Sequence, residues 1–283
     1  MNFSIIIPAH NEADVISLTL QSLVEQTLLP QEIIVVNDNS TDDTANIVNV
    51  FCEKFHFIKL INNQSSTIHL PGAKIINAFY KGYEICKKDY DVICKFDADL
   101  VFPQNYLESL AIHFKQNPKL GMVAGFCYIK KNDQWVLENL TSKDHIRGAL
   151  KAYSKACFRA IDGLKNSMGW DTTDELLAKY YDFELLTDAS LKVKHLKPTG
   201  LNYNKNAKHL QGEAMYKMRF GFVLALISAI KLALKKRSIT YLTHFIYGYF
   251  KAFKEQPDFL VTKDQGKFIR DLRWKGIYKK LGL

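Results

Sequence analysis

Four short apolar runs divide the first hundred residues of this chain, and each ends abruptly at a polar loop. Phe3 to Pro8 carries Ile5-Ile6-Ile7, Glu32 to Val36 carries Ile33-Ile34-Val35, Phe57 to Ile61 is the third run and Asp91 to Phe96 the fourth. Runs that are apolar throughout, rather than alternating, belong to strands buried on both faces, as in a parallel sheet. Between them lie stretches with helical spacing. Ala13 to Gln26 places Val15, Leu18, Leu20 and Leu23 as apolar positions, Thr41-Asp42-Asp43-Thr44 caps a segment that runs towards Phe55, and Gly72 to Cys86 is the third. The order β-α-β-α-β-α-β predicts a parallel sheet with right-handed crossovers. The fold class is therefore α/β, with a Rossmann-like, mostly parallel sheet flanked by helices.

That topology says where a site must be. The loops Ala9-His10-Asn11-Glu12 and Asn37-Asp38-Asn39-Ser40 and the pair Asp97 and Asp99 all follow strands. They gather on the C-terminal edge of the sheet, where open α/β sheets bind ligands. Two carboxylates one residue apart repel each other unless something positive joins them. A hard divalent cation bridging to a phosphate does so. The plainer alternative is a solvated turn, since Asp favours turns.

Beyond the fourth run, Pro103 to Gln116 reads as a helix and Gly121 to Ile129 as a strand. Lys130 to His145 is polar and has no clear period, and Arg147 to Ile161 reads as a turn and a helix. Gly169-Trp170-Asp171-Thr172-Thr173-Asp174-Glu175 leads into a helix towards Tyr181. Leu191 to His195 is a late strand, ended by Pro198-Thr199-Gly200.

The charge is unevenly spread. The chain carries a net +9, but from Lys205 onward there are 17 basic and 5 acidic residues, against 21 and 24 before it. A basic tail on a slightly acidic body points to an anionic partner surface. Within the tail, Phe220 to Leu234 is apolar apart from Ser228 and Lys231, too short for the roughly 20 residues that span a bilayer. Lys217, Ser228, Lys231 and Lys235 form one narrow polar stripe on that helix, and tyrosines mix with lysines from Tyr241 to Phe253. Two readings stay open: an in-plane helix on an anionic membrane surface, using residues 217–253, or a helix packed on its own domain with its lysines outward. The five cysteines are odd in number and in no metal-ligand spacing, which predicts free thiols in a reducing compartment. The start has no basic segment before its apolar run, so no cleaved leader is expected.

Taken together, the loops resemble those of the family 2 glycosyltransferases, which have the GT-A fold. Ile5-Ile6-Ile7-Pro8-Ala9-His10-Asn11-Glu12 resembles that family's opening strand and P-x-x-N-E turn. Val35 to Thr44 is similar to its V-D-D-x-S-x-D-x-T segment, Phe96-Asp97-Ala98-Asp99 to its D-x-D motif, and Gly169 to Glu175 to its acceptor-side acidic motif. The resemblance covers roughly residues 3 to 200. It implies a nucleotide-sugar transferase domain over 1–204 and a helical, basic extension over 205–283. It implies an inverting enzyme of hexosyltransferase type that uses Mn2+ or Mg2+. The donor is a nucleoside-diphosphate sugar, with UDP first, and the acceptor a glycan or lipid-linked saccharide.

By the same resemblance Pro8, Ala9 and Glu12 lie at the nucleoside, Asp38 at the base edge, Asp97 at the ribose or the metal's water shell, and Asp99 on the metal. Asn37 stands where the family usually has a first acid, so only Asp38 is carried over. His195 follows a strand where related enzymes often place a further metal ligand; a capping or core histidine is the alternative. Lys74, at the start of the third helix, faces either a phosphate or solvent. The acceptor hydroxyl needs a carboxylate to take its proton, and Asp174 takes that role, with Glu175 as a substitute. Trp170 either presents its face to a sugar or fills a core. The implied location is the cytoplasm, peripheral at the inner face of the membrane.

Two other classes fit less well. A nucleotidyltransferase needs a glycine-rich basic loop after the first strand, and Pro8 to Glu12 has neither glycine nor lysine. A nucleic-acid-binding tail displays its aromatics on a basic face, whereas here they are mixed into apolar runs, so no nucleic-acid partner is expected. A catalytically inactive, transferase-like binding protein keeps the same motifs and is separated only by assay.

Overall fold

The structure is a computed structural model and describes residues 1–65, 72–138, 144–197 and 209–282. The expected end of the late strand at Pro198-Thr199-Gly200, the 204/205 boundary and Pro71 lie outside the described residues. The chain forms two compact units. The first holds Met1–His69, Lys74–Leu164 and Tyr181–Leu201, and the second holds Leu70–Ala73, Lys165–Tyr180 and Asn202–Leu283.

The first unit is built on one sheet. The four expected runs are strands β1 (Phe3–Ala9), β2 (Glu32–Asp38), β3 (Ile58–Asn63) and β4 (Val92–Phe96), alternating with helices α1 (Ile16–Val24), α2 (Thr44–Lys54) and α3 (Ala73–Ile85). They pair in parallel in the order β3-β2-β1-β4. Ile5, Ile6, Ile7 and Ile33 to Val36 are fully buried, which is why these strands carry no polar alternation. Helix α3 lies so close to them that a Cβ on Gly82 would come within 2.7 Å of the Ile6 side chain.

Next follow β5 (Leu100–Val101), α4 (Tyr106–Gln116), β6 (Leu120–Lys131), β7 (Gln134–Leu137), β8 (Leu150–Ser154), α5 (Lys155–Ala160) and, later, β9 (Glu184–His195). They extend the sheet as β4-β8-β6-β9-β5, with β7 hairpinned on β6. Strand β8 is antiparallel to both β4 and β6. Here the sequence reading of a turn and helix over Arg147 to Ile161 is corrected: a central strand comes first, and only Lys155–Ala160 is helical. Leu150-Lys151-Ala152-Tyr153 contains good helix formers and no period-two alternation, because all four residues are buried. The aperiodic stretch Lys130 to His145 contains the β7 hairpin, and β9 begins seven residues before the expected Leu191.

The second unit is helical. It contains α6 (Trp170–Tyr180), α7 (Leu210–Lys217), α8 (Phe222–Lys236), α9 (Ile239–Glu255) and α10 (Lys263–Leu281). Helices α7 and α9 cross in backbone contact: a Cβ on Gly212 would meet the Phe245 carbonyl at 1.9 Å, and one on Gly248 the His209 carbonyl at 1.8 Å. Ala225 and Ala229 of α8 close the same core against Phe245 and Tyr249. Of the acidic motif, Gly169 precedes the helix and Trp170 to Glu175 form the first turns of α6.

Candidate functional site

The ends of β1 to β4 open into one cleft of about 310 Å³. Its lining includes Pro8, Ala9 and Glu12 after β1, Asp38 after β2, Ser65 after β3, Asp97 and Asp99 after β4, and Lys74 on α3. Every residue that the resemblance assigns to the nucleotide therefore lies on this cleft, together with Asp99.

The two loops that bear the first motifs are tied to each other. Asn11 and Asn39 adopt left-handed backbone conformations, with φ of 55° and 56°, which Asn tolerates better than most residues. The Asn11 side chain accepts from the Thr41 backbone N–H (2.8 Å), and the Asn11 N–H donates to Ser40 Oγ (2.9 Å). Glu12 N–H donates to Thr44 Oγ1 (2.8 Å) and Ala13 N–H to Asp42 Oδ2 (3.0 Å). Asp38 is held from the third strand end: Asn63 Nδ2 donates to Oδ1 (2.8 Å) and Ser65 Oγ to Oδ2 (2.9 Å).

The other three carboxylates that line the cleft, Glu12, Asp97 and Asp99, each have a cationic partner. Lys95, only 1% exposed within β4, donates its ammonium to Asp97 Oδ1 and to the Gly148 carbonyl (3.1 Å). Positions 95 and 97 are two apart, so the two side chains leave the strand on the same side. Lys197 pairs with Glu12 at 2.6 Å. Burial, together with nearby Asp99 and Asp97, holds the Glu12 carboxyl above its usual value against the pull of Lys197.

His195 closes β9 between two carboxylates. Nε2 lies 3.3 Å from Asp99 Oδ2 and Nδ1 lies 2.8 Å from Glu138 Oε2. Burial pulls its pKa down, but hydrogen bonds to Asp99 and Glu138 outweigh it and carry the imidazole up to about 9. Arg147 also donates to Glu138 Oε2. Cys127, Glu138 and His195 each offer a ligand atom, all within 4.8 Å of one another. Burial pushes the Cys127 thiol up to about 12.

The donor set at Asp99 and His195 fits a hard divalent cation. A carboxylate oxygen and an imidazole nitrogen are suitable ligands, and neighbouring ligands at about 2.1 Å in an octahedron stand about 3 Å apart. The observed separation is 3.3 Å.

The acceptor-side residues sit on α6 in the second unit. Trp170, Asp174 and Glu175 are all buried there, and Asp174 Oδ1 accepts the Glu175 N–H at 2.6 Å. Burial lowers the pKa of Arg273 on α10, with the carboxylate of Glu175 opposing that shift.

Sequence reasoning missed Lys95, Lys197 and Glu138. A lysine inside an apolar strand, two residues before an aspartate, was a usable signal for the first. Glu138 stands 57 residues before His195 in an aperiodic stretch, and only the fold brings the two together.

Comparison with known proteins agrees with this arrangement. The family model of "Glycosyl transferase family 2" matches residues 4–162, more than half of the chain. The "Probable glycosyltransferase YdaM" of Bacillus subtilis is 37% identical over 125 residues, 43% of this chain and 28% of that protein. The match thus spans little more than a quarter of that curated relative. Two solved structures share the fold. TarS of S. aureus, in complex with UDP-GlcNAc, has a TM-score of 0.59 at 16% identity, covering 89% of this chain and 73% of that one. The mannosyltransferase PcManGT of Pyrobaculum calidifontis, in complex with GDP-Man and Mn2+, has a TM-score of 0.55 at 14% identity, covering 99% and 81%. By the span of the family match, with the first three motifs lining a single cleft, the chain belongs to glycosyl transferase family 2.

Proposed function

We propose that the protein transfers a sugar, with inversion, from a nucleoside-diphosphate sugar to a hydroxyl of a glycan or lipid-linked saccharide. The observation that carries this reading is the cleft at the four strand ends, where Asp38, Lys74, Asp97 and Asp99 meet in a chain of this family. The nucleotide sugars named for the TarS and PcManGT complexes support the donor class, and the Mn2+ of the second supports a divalent ion. UDP is the first candidate nucleotide.

In this proposal the nucleoside lies against Pro8, Ala9 and Glu12, with the base edge at Asp38 and the ribose at Asp97. Asp99 and His195 would hold Mn2+ or Mg2+, with His195 binding as the neutral imidazole through Nε2. When bound, the ion supplies Lewis-acid neutralisation of the charge that grows on the departing diphosphate. Lys74, in the first turn of α3, adds positive charge on the phosphate side. Asp174 takes the proton of the acceptor hydroxyl as its oxygen bonds to the anomeric carbon and the bond to the diphosphate breaks. Trp170 and Glu175 serve the acceptor. A single displacement of this kind inverts the anomeric centre.

The basic helices supply the partner surface. Helix α8 packs Ala225, Ala229 and Ala233 inward and leaves Val223 (57% exposed), Ile227, Ile230 and Leu234 (73% exposed) in a stripe on another face, with Lys231 and Lys235 alongside. Among the described residues no helix is long and apolar enough to cross a membrane. An in-plane helix on an anionic lipid surface uses such a stripe and its lysines together. In this proposal the enzyme works from the cytoplasm as a peripheral protein at the inner membrane face, where lipid-linked acceptors lie.

Three outcomes follow. In a thermal-shift panel of nucleotide sugars, one donor raises the melting temperature only when Mn2+ is present. Asp174→Asn keeps that shift and loses about 10²–10⁴-fold in turnover. A panel with no shift contradicts the donor site, and near-normal turnover of the variant removes Asp174 as the base. Secondly, Asp97→Ala takes away the carboxylate paired with the buried Lys95 and lowers stability by about 3 kcal/mol, whereas Asp99→Asn abolishes the Mn2+-dependent shift. Equal melting of Asp97→Ala and wild type speaks against the Lys95 pairing. Thirdly, the protein co-sediments with phosphatidylglycerol vesicles and not with phosphatidylcholine, and Val223→Glu with Leu234→Glu weakens that binding at least about tenfold. Undiminished binding of the double variant rules out the α8 stripe.

A further inference from the structure

We propose that Glu138 is the positioning residue of the metal site, holding the His195 ring by Nδ1 so that Nε2 faces Asp99. The inference rests on the metal-dependent reading above and assigns a role to a residue that lies outside all four motifs.

Glu138 follows the last residue of β7, and its backbone N–H donates to the Cys127 carbonyl of β6 at 2.9 Å. The β6–β7 hairpin therefore fixes where the side chain can reach. The carboxylate is 3% exposed, and its Oε2 serves both Arg147 and His195 Nδ1. A buried carboxylate is costly unless it is paired. The Arg147 guanidinium supplies that pairing, so Glu138 has a cationic partner that does not depend on the charge of His195.

This matters because a neutral imidazole presents one lone pair, on whichever nitrogen lacks the proton. A carboxylate at Nδ1 keeps the proton there and leaves the lone pair on Nε2, the nitrogen 3.3 Å from Asp99 Oδ2. The ring is also fixed in rotation, since it ends β9 in a buried position with a polar partner on each nitrogen. The rival role for Glu138 is direct ligation in a Cys127–Glu138–His195 cluster. Against it stand the Arg147 contact already on the carboxylate and the soft sulfur of Cys127, a poor ligand for a hard cation.

The test is a double-mutant cycle read on metal binding rather than on turnover. Mn2+ alone, and then Mn2+ with saturating UDP, is titrated into the full chain and followed by electron paramagnetic resonance. Glu138→Gln is expected to weaken Mn2+ binding about 10–100-fold. His195→Ala also weakens it, and the double variant binds no more weakly than His195→Ala, because Glu138 acts only through the ring. Wild-type binding with Glu138→Gln unchanged overturns this inference alone. Additive losses put Glu138 on the ion itself and overturn it too. No binding by wild type overturns the metal reading of the site, and the positioning role with it. Should Glu138→Gln fail to fold, histidine-labelled wild type with Mg2+ gives the answer by nitrogen NMR. The His195 proton is expected on Nδ1, and a proton on Nε2 contradicts the proposal.

Discussion

Too many carboxylates meet at one end of this sheet for them to stand alone. Glu12, Asp97 and Asp99 lie on one cleft with Asp38, and like charges so close raise one another's energy in a partly buried place. The molecule answers with a separate cation for three of them: Lys197 for Glu12, Lys95 for Asp97 and His195 for Asp99. Asp38 is served instead by neutral donors from the end of β3. Much of the architecture around the edge exists to deliver these partners. Strand β4 carries both Lys95 and the acids that follow it, β9 ends at His195, and the β6–β7 hairpin brings Glu138 up behind the ring.

The partners are not equivalent, and that divides the labour between two acids one residue apart. Asp97 faces the ammonium of Lys95, a side chain only 1% exposed, so much of its charge is committed to the fold. Asp99 faces an imidazole, which can exchange a proton for a metal ion. The same economy is visible in the loops. The turn after β1 is hydrogen-bonded to the segment after β2 through Asn11, Glu12 and Ala13. The two motifs thereby form one structural piece, which explains why residues some thirty positions apart carry matched polar side chains.

How much of this was legible in the sequence depends on the range of the interaction. Strands β1 to β4 were readable because burial on both faces removes polar residues and leaves Ile5-Ile6-Ile7 or Ile33 to Val36 unbroken. Their C-terminal edge followed from topology, so the loops that line the cleft were found together. Strand β8 was not readable: it is central and buried on both faces, yet Leu150-Lys151-Ala152 suits a helix just as well until β4 and β6 supply its neighbours. Glu138 was invisible for the opposite reason. Nothing local distinguishes it, and its meaning comes from His195, 57 residues away. In the second unit, the exposed and packed faces of α8 were both apolar on a helical wheel. Only the seating of Ala225, Ala229 and Ala233 separates them.

The central claim is that the end of this sheet binds a nucleotide and a divalent ion through Asp99 and His195. Crystals grown with Mn2+ and UDP, measured at the manganese absorption edge, test it most directly. The account predicts an anomalous peak about 2.1–2.2 Å from Asp99 Oδ2 and His195 Nε2, with the nucleoside in the cleft against Asp38. A nucleotide bound away from that cleft, or a manganese peak that touches neither Asp99 nor His195, would contradict it.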